Sequence, residues 1–126
     1  MAVDEGLPEI KLHEITMREI RKGRQLVGPD IPMTVDVNCN WSVEHTRQTI
    51  PELSELNTRW FGGAHFSAED YRTLAELRME GHPIATGENA CNAYQFREMC
   101  RLNATDFLQP SITTVGGLTE FLKIID

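Results

Sequence analysis

The chain has 126 residues, of which 40% are hydrophobic and 25% charged, so it is long enough for one domain with a buried core and ordinary in composition for a globular protein. Nineteen acidic against twelve basic residues give a net charge of −7, which argues against nucleic-acid and anionic-membrane partners, because both need clustered Lys and Arg. Three cysteines form no disulfide framework, and no stretch has the composition of a signal peptide or a membrane span. We therefore expect a cytoplasmic protein.

A unit of one strand and one helix repeats along the chain about every 25 residues. Each unit begins with a short apolar, β-prone run, and four successive runs lead to Lys11, Asp36, Gly62 and Glu88. A buried strand that ends in polar residues typically presents them at its functional end. The repeat therefore places candidate chemistry at the same point of each unit.

In chain order, apolar runs and turn residues predict five strands and five helices. The strands are expected at about 9–14, 31–37, 58–61, 83–87 and 106–109, and the helices at about 17–27, 43–56, 68–80, 93–102 and 118–125. Thr16, Ser42 and Ser67 are the expected N-caps of the first three helices, with Glu19 completing a capping box at Thr16. Pro51 removes a backbone donor inside the second helix, so we expect a kink or an early break there.

Apolar spacing also predicts which side of two helices is buried. The third helix is expected to bury Tyr71, Leu74 and Leu77, with Met79 as a further candidate, and the fourth to bury either Tyr94 or Phe96 together with Met99 and Leu102.

The alternation of strands and helices through short loops predicts right-handed crossovers and a parallel sheet, hence an α/β fold. Five such strands fit either a small doubly wound sheet or part of a (β/α)8 barrel, and both folds place function at the carboxyl ends of the strands. The regular period favours the barrel. We expect residues 1–126 to form a single partial (β/α)8 barrel domain of about five parallel strands.

Several short motifs resemble one family in combination. They are Asp36-Val37-Asn38, Glu69-Asp70-Tyr71, Ala85-Thr86-Gly87-Glu88-Asn89, Gln109-Pro110-Ser111 and Val115-Gly116-Gly117. Together they resemble the barrel domain of the enolase superfamily, in its mandelate racemase and muconate-lactonizing branch. The resemblance covers residues 10–126 and implies that the chain supplies barrel strands two to six, without the capping domain. It also implies a Mg²⁺-dependent racemase or acid-sugar dehydratase that abstracts the proton α to a carboxylate.

The resemblance assigns roles to four residues. Asp36 is expected to be the first Mg²⁺ ligand and Glu88 the third, and Lys11 and His13 fall on the motif that supplies the base. The chemistry is suitable, because carboxylate oxygens bind Mg²⁺ and a Lys or His can remove a proton from carbon.

Four further residues are candidate substrate contacts: Asn38, Asn89, Gln109 and Ser111. Residues of these types also occupy turn and cap positions for purely structural reasons. Gly116-Gly117 is open to two interpretations in the same way, as an anion site at a helix N-terminus or as a tight turn.

One departure from the family concerns the second metal ligand. Family members usually carry Glu-Glu-Pro after the fourth barrel strand, whereas this chain reads Gly62-Gly63-Ala64, followed by His65 as a poor substitute. Two carboxylates instead of three predict weakened Mg²⁺ binding and impaired activity. The alternative is a catalytically silent barrel fragment that acts only as a folding or assembly unit.

The implied partners follow from the same interpretation. An active chain would take a small carboxylate or acid-sugar substrate. A five-stranded parallel sheet has two open edges and an uncovered barrel interior, so we expect a homo-oligomer or pairing with another fragment.

A second metal hypothesis comes from the period itself. His13, Cys39, His65 and Cys91 occupy equivalent places just beyond four successive strands, and two Cys with two His would suit Zn²⁺. Equivalent positions around a barrel rim lie too far apart to converge easily, so we do not expect zinc.

Overall fold

The computed structural model describes residues 6–64 and 68–126. Within them, five strands alternate with five helices. In chain order these are β1 (Ile10–His13), α1 (Met17–Val27), β2 (Met33–Asp36), α2 (Val43–Glu55), β3 (Phe61–Gly62), α3 (Tyr71–Arg78), β4 (Ile84–Thr86), α4 (Ala93–Leu102), β5 (Phe107–Leu108) and α5 (Leu118–Ile125).

The strands form one parallel sheet in the order β1-β2-β3-β4-β5. A doubly wound sheet reverses its strand order at a switch point, whereas a barrel adds each new strand beside the last one. The sequential order therefore confirms the partial (β/α)8 barrel and removes the doubly wound alternative.

The two faces of the sheet differ because side chains alternate along each strand. Toward the helices, Met33, Val35, Phe61 and Ile84 are fully buried and form the centre of the core. The register pairs Lys11 with Thr34, His13 with Asp36, Asp36 with Gly62, and Gly62 with Ala85, so these residues share the opposite, concave face.

The second helix is continuous past Pro51, so the predicted early break is wrong. Thr49, Ile50 and Leu53 are buried on either side of the proline, and this packing holds the helix against the sheet. Ser42 is the N-cap, as predicted, and its hydroxyl accepts a hydrogen bond from the His45 N–H at 3.1 Å.

The first helix begins at Met17 after Thr16, as predicted, but its cap differs from the prediction, and the start of the third helix needs correction. At Thr16 the side chain caps no backbone N–H, because its hydroxyl is hydrogen-bonded to the carboxylate of Glu19 instead. The third helix begins after Asp70, whose carboxylate accepts from the Thr73 N–H at 3.1 Å. The predicted cap Ser67 lies outside the described residues.

The predicted buried faces are largely right. Leu74, Leu77, Phe96 and Met99 are buried as expected, and Tyr71 and Leu102 are partly buried. Met79 is 80% exposed and Tyr94 66% exposed, so neither belongs to the core. Met79 lies after the last residue of α3, beyond its packed face. Phe96, rather than Tyr94, lies on the side of α4 that packs against the core.

The last strand and helix leave apolar side chains exposed, and α5 has no buried residue. The exposed side chains are Phe107, Leu108, Leu118, Leu122 and Ile125. None of the helices in the two described ranges is long and apolar enough to cross a membrane.

Candidate active site at the carboxyl ends of the strands

An ion pair between neighbouring strands is the centre of the candidate site. Nζ of Lys11 lies 2.7 Å from Oδ2 of Asp36, and the two side chains are 46% and 8% exposed. The parallel register of β1 and β2 places both side chains on the concave face. The second oxygen of Asp36 accepts a hydrogen bond from the Asn38 N–H at 2.9 Å.

These contacts keep Asp36 ionised. Burial on its own would raise the pKa of Asp36. Its pKa is lowered by the hydrogen bonds from Lys11 and Asn38 and by the positive charges of Lys11 and His13. The net result is a pKa below the ordinary value of an aspartate. A buried carboxylate that stays charged is a suitable ligand for a cation.

Trp60 forms part of the surroundings of the ion pair, although the sequence did not single it out as a site residue. Nζ of Lys11 lies 5.8 Å from the centroid of the Trp60 ring, a distance typical of a cation–π contact. Trp60 is also 6.4 Å from the ring of Phe107, which lies on the concave face of β5. An aromatic residue two positions before Gly62 was the available signal, because it predicts a side chain on the same face.

Glu88 faces the same region from the end of β4. Burial raises the pKa of the Cys39 thiol, and the negative charges of Glu88, Asp36 and Glu69 raise it further. Asp36 and Glu88 therefore both act electrostatically on Cys39. No hydrogen bond or ion pair joins the Glu88 side chain to another residue in the described part of the chain.

Gly62 lies between the strands that carry these two carboxylates, and the backbone does not require glycine there. A Cβ at this position would lie 3.4 Å from Cζ3 of Trp60, 3.5 Å from Oε1 of Gln109 and 3.6 Å from the carbonyl oxygen of Ala85, which are ordinary contact distances. Gly63 differs, because its φ is +61° and a Cβ there would lie 2.6 Å from the backbone nitrogen of Cys39. Position 62 can therefore accept a Cβ without strain, and position 63 cannot.

Three of the four candidate substrate contacts take part in local turns. Asn38 adopts a left-handed conformation with φ of 49° and donates its N–H to Asp36. The carbonyl of Asn89 accepts from the Cys91 thiol at 3.5 Å. Ser111 shares a hydrogen bond with the Thr113 hydroxyl at 2.8 Å. The left-handed conformation accounts for an asparagine at position 38 and the Ser111 hydroxyl is bonded locally, whereas the contact of Asn89 involves only its backbone.

The donor atoms suit a magnesium ion chemically but are fewer than the family pattern supplies. The carboxylates of Asp36 and Glu88 are hard oxygen donors, and Gly62 contributes no side chain. Within residues 6–64 and 68–126, no three His, Cys, Asp or Glu side chains are close enough to hold a metal together. Of the four zinc candidates, His65 lies outside these residues. The candidate residues therefore fit Mg²⁺ by the type of their donor atoms, with two carboxylates among them.

Together, the sequential parallel sheet and the polar carboxyl ends define a segment of an α/β barrel. The chain belongs to the enolase C-terminal domain-like family, whose model matches residues 1–126. The resemblance inferred from the short motifs is thereby confirmed.

Relatives with assigned activities include acid-sugar dehydratases. The chain is 32% identical over 111 residues to L-talarate/galactarate dehydratase of Salmonella typhimurium, covering 87% of this chain and 28% of the relative. It is 30% identical over 111 residues to L-rhamnonate dehydratase of Saccharopolyspora erythraea, covering 86% and 28%. The chain therefore spans less than a third of the length of these relatives.

Solved structures agree with the fold. The Salmonella typhimurium L-talarate/galactarate dehydratase, liganded with Mg and L-lyxarohydroxamate, superposes with a TM-score of 0.91 at 30% identity, covering 99% of this chain and 34% of that one. A racemase from Streptomyces coelicolor with bound magnesium gives a TM-score of 0.87 at 26% identity, covering 97% and 38%.

Proposed function

We propose that this chain carries the proton-transfer residues and two metal-binding carboxylates of an acid-sugar dehydratase or racemase site, with Mg²⁺ binding weakened and activity impaired by Gly62. The observation that supports this best is the 2.7 Å contact between Lys11 and Asp36 at the carboxyl ends of adjacent barrel strands. Function in barrels of this kind lies at that end of the strands.

Lys11 and His13, two positions apart on the concave face of β1, are the proposed bases for the proton α to a substrate carboxylate. Enolase-superfamily sites use a Lys or His in this role. Lys11 is oriented by Asp36 and by the Trp60 ring, and its ammonium is partly exposed on the concave face where a substrate would bind. Mg²⁺, when bound, would stabilise negative charge that develops on the substrate carboxylate.

The substrate class is proposed from the relatives and from the residues at the rim. Acid sugars carry a carboxylate and several hydroxyls, which amide and hydroxyl side chains can bind through hydrogen bonds. Asn38, Asn89, Gln109 and Ser111 are the candidates that follow the strand ends. In this proposal Asp36 and Glu88 hold the metal with two negative charges, and the missing third carboxylate lowers the affinity.

A Mg²⁺ titration by calorimetry tests the proposal. Gly62→Glu restores the third carboxylate at a position where a Cβ makes only ordinary contacts, so we expect Mg²⁺ affinity at least about tenfold above that of the parent chain. Gly62→Gln is the matched control, since it adds the same volume without the charge and should gain far less. No gain with Gly62→Glu would reject the placement of Asp36 and Glu88 as ligands.

The second candidate is a silent barrel fragment that serves only folding or assembly, and the observation that favours it is Gly62 itself. Galactarate, the substrate in one relative's name, separates the two. Slow exchange of its α-proton for deuterium, accelerated by Gly62→Glu and abolished by Lys11→Met, would support the impaired enzyme. The silent fragment predicts no exchange with any variant.

We further propose that the exposed apolar side chains of β5 and α5 are covered by a second chain or by another barrel segment. Phe107, Leu118 and Ile125 support this, because each is a large apolar side chain left exposed on the last strand or helix of the open sheet. Sedimentation velocity at rising concentration measures such self-association. A constant monomer that binds no hydrophobic dye would contradict it.

A further inference from the structure

Trp60 lies beside the ammonium group to which the proposed function assigns proton transfer. Nζ of Lys11 is 5.8 Å from the centroid of the Trp60 ring, and the Lys11 side chain is 46% exposed. A substrate carbon that gives its proton to Lys11 must come to about 3–3.5 Å from Nζ, and the Asp36 carboxylate already occupies one side of Nζ at 2.7 Å. The Trp60 ring therefore borders the space that remains for such a substrate.

Neighbouring groups fix the Trp60 ring in this position. The residue is partly buried, and its ring lies 6.4 Å from the ring of Phe107, with 41° between the two planes. Its Cζ3 atom lies 3.4 Å from where a Cβ of Gly62 would be, so the ring packs close to the backbone of β3. Phe107 is in turn contacted by the Arg59 guanidinium, whose carbon lies 6.0 Å from the centroid of the Phe107 ring. A ring packed in this way loses little rotational freedom when a ligand binds.

An aromatic ring next to an ammonium group suits an acid sugar. The carbon chain of such a molecule presents C–H groups between its hydroxyls, and these are the apolar part that a ring can cover. Ligand sites generally combine such apolar surfaces with a few polar groups that fix the orientation of the ligand. The other explanation of the contact is that Trp60 only holds Lys11 in place through the cation–π interaction. The two roles can be separated, because a residue that acts only through Lys11 has no effect once Lys11 is replaced.

We propose that Trp60 contacts the substrate and forms the apolar wall of the candidate site, with its ring packed against the C–H groups of an acid sugar next to Lys11. The proposal rests on the proposed function and adds a specificity-determining residue to it. The substrate is then held by two kinds of contact, which are the electrostatic attraction of its carboxylate and the packing of its carbon chain on the Trp60 ring.

Tryptophan fluorescence with galactarate, in the presence of Mg²⁺, tests the contact directly on the full chain. The chain has two tryptophans, and Trp41 is only 4% exposed, so it serves as the internal reference. We expect galactarate to change the emission of the parent chain and to leave that of Trp60→Phe unchanged, because only Trp41 emits in that variant. An equal change in the parent chain and in Trp60→Phe would overturn the contact.

Calorimetry with the same ligand measures what the ring contributes to binding. Trp60→Phe keeps an aromatic ring and should bind galactarate within about threefold of the parent chain, whereas Trp60→Leu should bind it at least about tenfold more weakly. Tyr94→Leu is the matched control, since Tyr94 is 66% exposed on α4, and this variant should bind like the parent chain. Thermal melts verify that each variant is folded.

A double substitution separates contact with the substrate from an effect that passes through Lys11. If the ring contacts the substrate, Trp60→Leu should weaken binding by about the same factor, roughly tenfold, in the parent chain and in Lys11→Met. A loss in the parent chain alone, or no loss in either, would overturn the proposed role of Trp60. The proposed function would still stand if the parent chain or Gly62→Glu binds galactarate, and no binding by either chain would overturn both.

Discussion

Several polar side chains at the amino-terminal end of the strands are hydrogen-bonded within the protein, whereas some at the carboxyl end are not. At the amino-terminal end of the strands, the Arg24 guanidinium donates to the carbonyls of Gly28, Ile31, Leu56 and Asn57 at 2.8 to 3.0 Å. These carbonyls follow α1 and α2 or precede β2, so one side chain joins three elements. At the carboxyl end, Glu88 and Gln109 make no side-chain hydrogen bond within the described ranges.

His82, also at the amino-terminal end, has both ring nitrogens hydrogen-bonded. The residue is buried, and its ring lies between the hydroxyls of Ser54 and Thr58, at 3.0 Å from Nδ1 and 2.9 Å from Nε2. Both hydroxyls also donate to backbone carbonyls of α2, Ser54 to Ile50 at 3.1 Å and Thr58 to Leu53 at 3.0 Å, so the ring is joined to α2 through both of them. Polar groups that are hydrogen-bonded within the protein stabilise the fold. Polar groups without such a bond at the carboxyl ends of the strands are the candidates for binding a ligand.

The largest effect we predict is at Arg24. Arg24→Leu leaves four carbonyls without this donor, three of them part-buried and that of Asn57 exposed, and we expect a loss of about 3 kcal/mol in the free energy of unfolding, since each lost hydrogen bond to a charged group costs about 1 kcal/mol or more. Urea denaturation at neutral pH measures it. Arg18→Leu is the matched control on the same helix, because Arg18 is exposed and contacts only Glu19 among the described residues.

A loss at Arg24 no larger than the loss at Arg18 would break the comparison. It would mean that the hydrogen bonds of Arg24 do not stabilise the amino-terminal end of the sheet. Hydrogen bonding at the two ends would then not distinguish stabilising residues from candidate functional ones.

At His82 we predict a smaller effect on the free energy of unfolding, and one that depends on pH. Burial lowers the pKa of His82, and the charge of Asp106 opposes this only in part. Because the folded-state pKa lies below the ordinary value of 6.5, the unfolded chain takes up the proton first. The stability contributed by neutral His82 is therefore complete above about pH 6.5 and is lost as the pH falls below it.

Urea denaturation between pH 8 and pH 5 measures this dependence. His82→Gln should cost about 2 kcal/mol at pH 8, where two hydrogen bonds are disturbed, and should flatten the decline toward pH 5. An equal decline in the variant would assign the pH dependence to other groups.

The fold was largely predictable because each unit repeats the same pattern at nearly constant spacing. The limits of α4 and α5 agree with their predicted ranges, and the structure adds Asn92 as the N-cap of α4. The strands were predicted too long. Residue 58 is a clear case: the Thr58 N–H and hydroxyl both bond the carbonyl of Leu53, which keeps it in the turn after α2 instead of in β3.

The site was predictable only as a set of residues at strand ends. Lys11 and Asp36 were singled out, but their ion pair depends on the register of β1 against β2, which local sequence does not specify. The approach of Gln109 to Gly62 depends on the curvature of the sheet, because residue 109 is separated from β3 by an intervening strand. The roles of these residues remain predictions.

The smallest predicted effect on stability is at Lys11, and it concerns the carboxyl end directly. Burial is the largest single influence on Asp36 and raises its pKa, so Lys11→Met should shift the pKa of Asp36 upward. In the parent chain, Asp36 contributes stability above its ordinary pKa of 3.8, and this is lost as the pH falls through the lowered value. The variant should lose less stability on acidification, with a cost of about 1 kcal/mol at pH 7.

Carbon-13 NMR of the carboxylates as a function of pH measures the shift, and Lys22→Met, at an exposed lysine on α1, is the matched control. An upward shift of the Asp36 pKa in Lys11→Met, but not in Lys22→Met, would show that the ion pair acts on Asp36. The carboxyl end would then have paired charges at β1 and β2 and an unpaired carboxylate in the part formed by β3 to β5. An unchanged Asp36 would mean that this carboxylate is as available as Glu88. Lys11 would then be free to act on a substrate without first leaving an ion pair.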